Sequence, residues 1–117
     1  MALSEPFTGT NGTWGTEFSL TNSSTTIAAQ TTAGIYQVAI DLNALALADI
    51  YDFRIYEKAR SSDTQRICFI QSFNDAQGAD SAGWLSPAVH LLNGWDFSLK
   101  RTAGADRTIT WSVRKVA

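Results

Sequence analysis

Cysteine, histidine, proline and charge are all scarce in this chain of 117 residues, and each scarcity removes a class of protein. The one cysteine, Cys68, leaves no internal disulfide to staple the fold. Together with the one histidine, His90, it lies too far away in sequence to suggest a zinc-ligand set. Charged residues make up 17% of the chain and the net charge is −2. Without a basic excess there is no electrostatic footprint for nucleic acid or for an anionic membrane surface. The longest apolar run, 44–50, contains Asp49 and is far too short to span a bilayer. The first residues lack a basic segment followed by an apolar one, so no signal peptide is expected and folding is expected in a cytoplasm.

What is present is one domain's worth of sequence with 44% apolar residues. At this length folding buries roughly two-thirds of the unfolded surface, enough for a core without staples. Thr, Ser, Asn and Gln fill the place of charge, and such residues suit the open face of a sheet. The apolar residues recur with period 2. Trp14, Thr16, Phe18 and Leu20 alternate with Gly15, Glu17 and Ser19, a turn follows at Asn22–Ser24, and Thr25–Gln30 reads as a β-rich partner. Tyr36, Val38, Ile40 and Leu42 alternate with polar or small residues, as do Tyr51, Phe53 and Ile55. Ile67, Phe69, Gln71 and Phe73 share one face of a further strand, Ala88–Leu92 forms a short one after Pro87, and two more carry Trp95, Phe97, Leu99 and Ile109, Trp111, Val113. The loop Thr102–Asp106 predicts a hairpin that pairs these last two.

The pattern predicts an all-β fold, an antiparallel β-sandwich of jelly-roll or immunoglobulin-like type with about eight strands. Residues 1–12 are polar and turn-rich, with Pro6, Gly9 and Gly12, and read as an extended N-terminal arm. Residues 13–117 form the sandwich domain. Residues 43–49 read as a crossover, with one or two helical turns capped by Asn43 as the alternative. Residues 74–83 read as a surface loop.

No set of residues predicts catalysis. His90 stands in a strand context, reads as a residue pointing away from the core, and has no Gly-x-Ser-x-Gly elbow to bring a serine to it. Asp75 and Asp80 share a loop but lack the spacing of a calcium loop. Asp41, Asp52 and Asp96 alternate with core residues, which predicts solvated faces and cross-strand ion pairs rather than an opposed carboxylate pair. Gly9–Gly12 lacks the Lys-Ser/Thr of a phosphate loop. Cys68, within an apolar run, reads as a small buried hydrophobe. No enzyme activity, cofactor or metal site is expected. Trp95 and Trp111 read as core, whereas nothing in the local pattern hides Trp84. Pro6 and Phe7 in the arm, with Trp84, Leu85 and Pro87 after the loop, are the expected partner-contact residues.

The run Ile35–Leu45, the segment Phe53–Lys58, Trp84–Pro87, and the closing Leu99–Gly104 with Ile109–Arg114 together resemble small β-rich virion proteins of tailed bacteriophages. The similarity covers most of the chain after Trp14 and rests on the order of elements. It implies a viral structural protein, a capsid decoration (cement) protein that binds the shell and stabilises it by non-covalent contacts. Its expected partners are the major capsid protein or other virion proteins, in a homo-oligomer, and its expected location is the virion after synthesis in the host cytoplasm. A head-tail or neck component, or a carbohydrate- or cell-surface-binding module with a row of exposed aromatics, are the alternatives.

Overall fold

The computed structural model describes residues 3–116, and its strands divide between two antiparallel sheets. In chain order they are β1 (Ser4–Asn11), β2 (Phe18–Ser19), β3 (Gly34–Asp41), β4 (Ile50–Glu57), β5 (Arg66–Asn74), β6 (Gly83–Leu85), β7 (Val89–Leu91), β8 (Asp96–Ala103) and β9 (Ile109–Lys115). Sheet I has the order β1-β9-β3, with β6 and β7 both paired to the far side of β3, and sheet II has the order β2-β8-β4-β5.

β6 and β7 are one strand interrupted at Ser86-Pro87. Leu85 pairs with Ala39 and Val89 with Tyr36, along the same flank of β3. Pro87 has no N–H to give to a ladder. Ser86 bridges the break: its N–H donates to the Val38 carbonyl (2.8 Å), and its Oγ accepts the Val38 N–H (2.8 Å). Counting the pair as one gives eight strands in the orders 1-8-3-6 and 2-7-4-5, the arrangement of a jelly roll.

The alternating faces meet between the sheets. Tyr36, Val38 and Ile40 from β3 and Ile109, Trp111 and Val113 from β9 pack toward Tyr51, Phe53 and Ile55 from β4 and Phe97 and Leu99 from β8. Trp14 and Trp95, both 0% exposed, close the core from the loops. The polar tips of these aromatics reach loop carbonyls. Trp14 Nε1 donates to Arg107 (2.8 Å), Trp95 Nε1 to Thr32 (3.0 Å), Trp111 Nε1 to Leu20 (2.9 Å) and the Tyr51 hydroxyl to Ala105 (2.8 Å). A buried ring therefore satisfies its own donor and pins a connecting segment in the same contact.

Several sequence-based expectations are corrected. β8 and β9 do not form a hairpin: β8 lies between β2 and β4, and β9 between β1 and β3. Each carries a full apolar face, and facing each other across the sandwich buries both faces while leaving each strand two neighbours to bond. Of the expected extended arm, residues 1 and 2 lie outside the described residues, and the remainder is held by the domain itself. Residues 4–11 are an edge strand paired with β9, in continuous register from Phe7 onward, Phe7 packs against the core, and a Cβ on Gly9 would fall 2.4 Å from the Trp111 ring. Gly9 is the gap that lets the indole lie against β1, so the apolar alternation fails at the position where packing needs nothing.

Residues 25–30 do not form a strand; Gln30 makes an isolated bridge to Trp95. Residues 43–49 turn twice without a helix and carry the chain from sheet I to sheet II. Cys68 is exposed rather than buried. The pairing of β4 with β5 slips between Ile55 and Tyr56, which face Phe69 and Ile67, so Cys68 is the extra residue of a bulge.

Candidate partner-docking face

The outer face of sheet I is built from the residues that alternate with the core. β3 contributes Gln37, Ala39 and Asp41, β9 contributes Thr110, Ser112 and Arg114, and β6 contributes Gly83 and Leu85. These side chains are mostly small, so the face is hollow. An open depression of about 820 Å³ lies over Ala39, Asp41, Gly83, Leu85, Thr110 and Ser112 and reaches Arg114. A second, of about 520 Å³, runs from Arg114 and Gln37 to Leu3, Glu5 and Val116. Both are lined by Arg114, so the two open depressions adjoin on the same face. Its ionic groups are Glu5, Asp41 and Arg114, and the Ser112 hydroxyl donates to Glu5 Oε2.

The expected contact residues divide. Pro6 is exposed on β1 at one edge of this sheet, and Leu85 (55% exposed) and Pro87 are exposed at the opposite edge. Phe7 and Trp84 turn inward instead. Phe7 meets Trp95 edge-on, with ring centroids 6.4 Å apart. Trp84 packs edge-on to Phe53 (5.1 Å) and Phe73 (4.9 Å), filling the space between the sheets near β5. Its position opposite Ile40 puts it in register with the core, a fact that no local alternation could reveal because β6 is three residues long.

All thirteen Phe, Trp and Tyr residues are buried or half-buried, so no aromatic platform lies on either sheet face. His90 is exposed on β7 opposite Ile35. Asp75 accepts the Ala48 N–H at 2.7 Å. The Cys68 thiol donates to the Ile55 carbonyl at 3.3 Å, and its partial burial, with Glu57 nearby, pushes its pKa up, away from the thiolate.

Polar clusters missed in the sequence lie on the other sheet. Asp96 was expected on a solvated face and is 0% exposed. The segment between β2 and β3 folds over it, and the carboxylate takes four hydrogen bonds: Thr21 Oγ1 (2.6 Å) and Phe97 N (2.8 Å) on Oδ1, Ser19 Oγ (2.6 Å) and Ala28 N (2.9 Å) on Oδ2. Burial pushes its pKa up in spite of them. Beside it, Glu17 accepts the Tyr56 hydroxyl (2.6 Å) and the Ser98 hydroxyl and pairs with Arg54 at 3.4 Å. Asp52 and Asp41 lie on outer faces, but the expected cross-strand ion pairs do not form among the described residues: Asp52 is half-buried near Arg54 of its own strand (3.8 Å) and takes the cross-strand Ser72 hydroxyl (2.6 Å), and Asp41 is exposed without an ion pair.

Asp49, 1% exposed, organises the far end of the sandwich. It receives the Arg107 guanidinium (2.7 Å) and the N–H groups of Ala105 (3.0 Å) and Ala46 (2.9 Å), which hold its pKa at about 2. Asp96 ties the segment between β2 and β3 to β8, and Asp49 ties the connection before β4 to the one between β8 and β9. The only sequence signal for them is a carboxylate beside the core pattern with short hydroxyl-rich or Gly-containing segments elsewhere in the chain. Comparison with protein-family models and with curated protein sequences finds no match to this chain.

Proposed function

We propose that this chain is a bacteriophage virion structural protein, a capsid decoration protein that binds the shell and stabilises it by non-covalent contacts. The observation that carries the reading is the outer face of sheet I, an open face of small, mostly neutral side chains with two adjoining depressions and exposed Pro6 and Leu85 at opposite edges. Such a face lets a partner's surface approach the backbone closely over a wide area, and repeated weak contacts of this kind gain strength by multivalency on a particle. The sequence resemblance to virion proteins of tailed phages supports the same reading. The carbohydrate-binding alternative needs a row of exposed aromatic rings, and each of the thirteen rings of this chain is buried or half-buried.

The test is addition of the purified chain to capsids that lack it, with mass spectrometry of intact virions. Saturable binding and hundreds of copies per particle are expected. Absence from virions together with no capsid binding sinks the reading, and a dozen copies or fewer moves the protein to the neck.

A further inference from the structure

We infer that β5 is a self-pairing edge, through which two copies of this chain join their second sheets into one continuous sheet. Four strand edges face solvent in the sandwich, and three are blunted among the described residues. β1 contains Pro6, which has no N–H, and its register slips between Ser4 and Phe7. The β6–β7 edge is broken at Ser86-Pro87. β2 is two residues long. β5 is nine residues long, with no proline, and pairs on one side alone, with β4. Its bulge falls near the start, at Cys68, and leaves Phe69–Asn74 in regular register.

The direction of its backbone groups follows from one bond. Asp75 N–H donates to the Asp49 carbonyl at 2.8 Å. In an antiparallel ladder the hydrogen-bonded pairs alternate, so Phe73, Gln71 and Phe69 bond toward β4 while Ser72 and Ile70 present N–H and C=O to solvent. Ile70 is also 54% exposed and Ile67 42% exposed. Ile70 is the middle residue of β5, so a two-fold axis there gives the greatest overlap: Ile70 opposite Ile70, Ser72 opposite Cys68, and Arg66 opposite Asn74. This register bonds the outward-facing groups of Ile70 to their own copies, buries two exposed isoleucines, and brings the positive charge of Arg66 to the Asn74-Asp75 end of the partner.

The inference goes beyond the proposed function, gives a geometry to the homo-oligomer that the sequence resemblance implies, and requires no capsid. Its test is sedimentation velocity of the full chain across a concentration series, for the wild type, Ile70→Lys and Leu85→Lys. A concentration-dependent dimer is expected for the wild type and for Leu85→Lys. Ile70→Lys sets two like charges together on the axis and is expected to raise the dimer Kd at least about tenfold with an unchanged melting temperature. A second arm places a thiol at position 70, as Ile70→Cys in a Cys68→Ser background. A short bis-maleimide is expected to link it, and not to link wild-type Cys68, whose two copies stand about 13 Å apart along the strand direction in this register. A wild type that stays monomeric, an Ile70→Lys variant that dimerises like the wild type, or linkage through Cys68 but not position 70 overturns the inference. None of these results bears on capsid binding, which fails or stands by its own assay.

Discussion

Replacing Asp96 by Asn removes a charge and one acceptor oxygen while keeping the shape, and two effects then oppose each other. Burial of the charged carboxylate is costly, as its raised pKa shows, and the neutral amide escapes that cost. Against this, each carboxylate oxygen takes one backbone N–H, Phe97 on Oδ1 and Ala28 on Oδ2. Whichever way the amide turns, its NH2 group meets one of those N–H groups and cannot accept from it. The Ser19 or Thr21 hydroxyl can rotate to accept, but a backbone N–H cannot. One buried donor is orphaned and one charge-assisted bond is lost, so Asp96→Asn is expected to destabilise by about 2 kcal/mol. For a domain of this size that lowers Tm by roughly 8 °C. Asp96→Ala orphans both N–H groups and is expected to cost about 3–5 kcal/mol. Thermal unfolding gives the size, and amide exchange at Ala28 and Phe97 locates it. The sign of the pH effect follows from the raised pKa: the Asp96 contribution is full below the ordinary value of 3.8 and is lost as pH rises through the native value. The gap between wild type and Asp96→Asn should therefore widen as pH falls from neutrality toward about 4. An Asp96→Asn protein as stable as the wild type, with Ala28 still protected, would refute the reasoning.

Asp49 behaves in the opposite sense. Its pKa is lowered to about 2, so its contribution is present above the ordinary 3.8 and disappears as pH falls through about 2. Arg107→Gln is expected to raise the Asp49 pKa, seen by carboxyl NMR titration, and to move acid unfolding to higher pH. Trp84→Ala is expected to cost about 3 kcal/mol in chemical denaturation because the indole fills the space beside Phe53 and Phe73. Leu85→Ala, one residue on, should change stability by less than about 0.5 kcal/mol and, on the proposed function, weaken capsid binding. Gly104→Ala is expected to cost at least about 2 kcal/mol by thermal unfolding, because Gly104 has φ 84° and its Cβ would lie 2.3 Å from Asp49 Oδ1.

The period-2 pattern by itself determined the all-β class, the faces of β3, β4, β8 and β9, and the burial of Trp95 and Trp111, since a strand's two faces are read directly from its alternation. It failed wherever distant segments decide the outcome. β1 escaped it because Gly9 is shaped by the Trp111 ring, and Trp84 because a three-residue strand has no alternation of its own. The expected hairpin of β8 and β9 failed because strand partnership depends on which neighbours complete each ladder, and those neighbours come from β1 to β4. Asp96 looked solvated because its cover, residues 19–28, lies some seventy positions away. Alternation is local and belongs to the sequence. Which strand is an edge, which carboxylate is roofed over and which face stays hollow are settled only when segments far apart in the chain pack together.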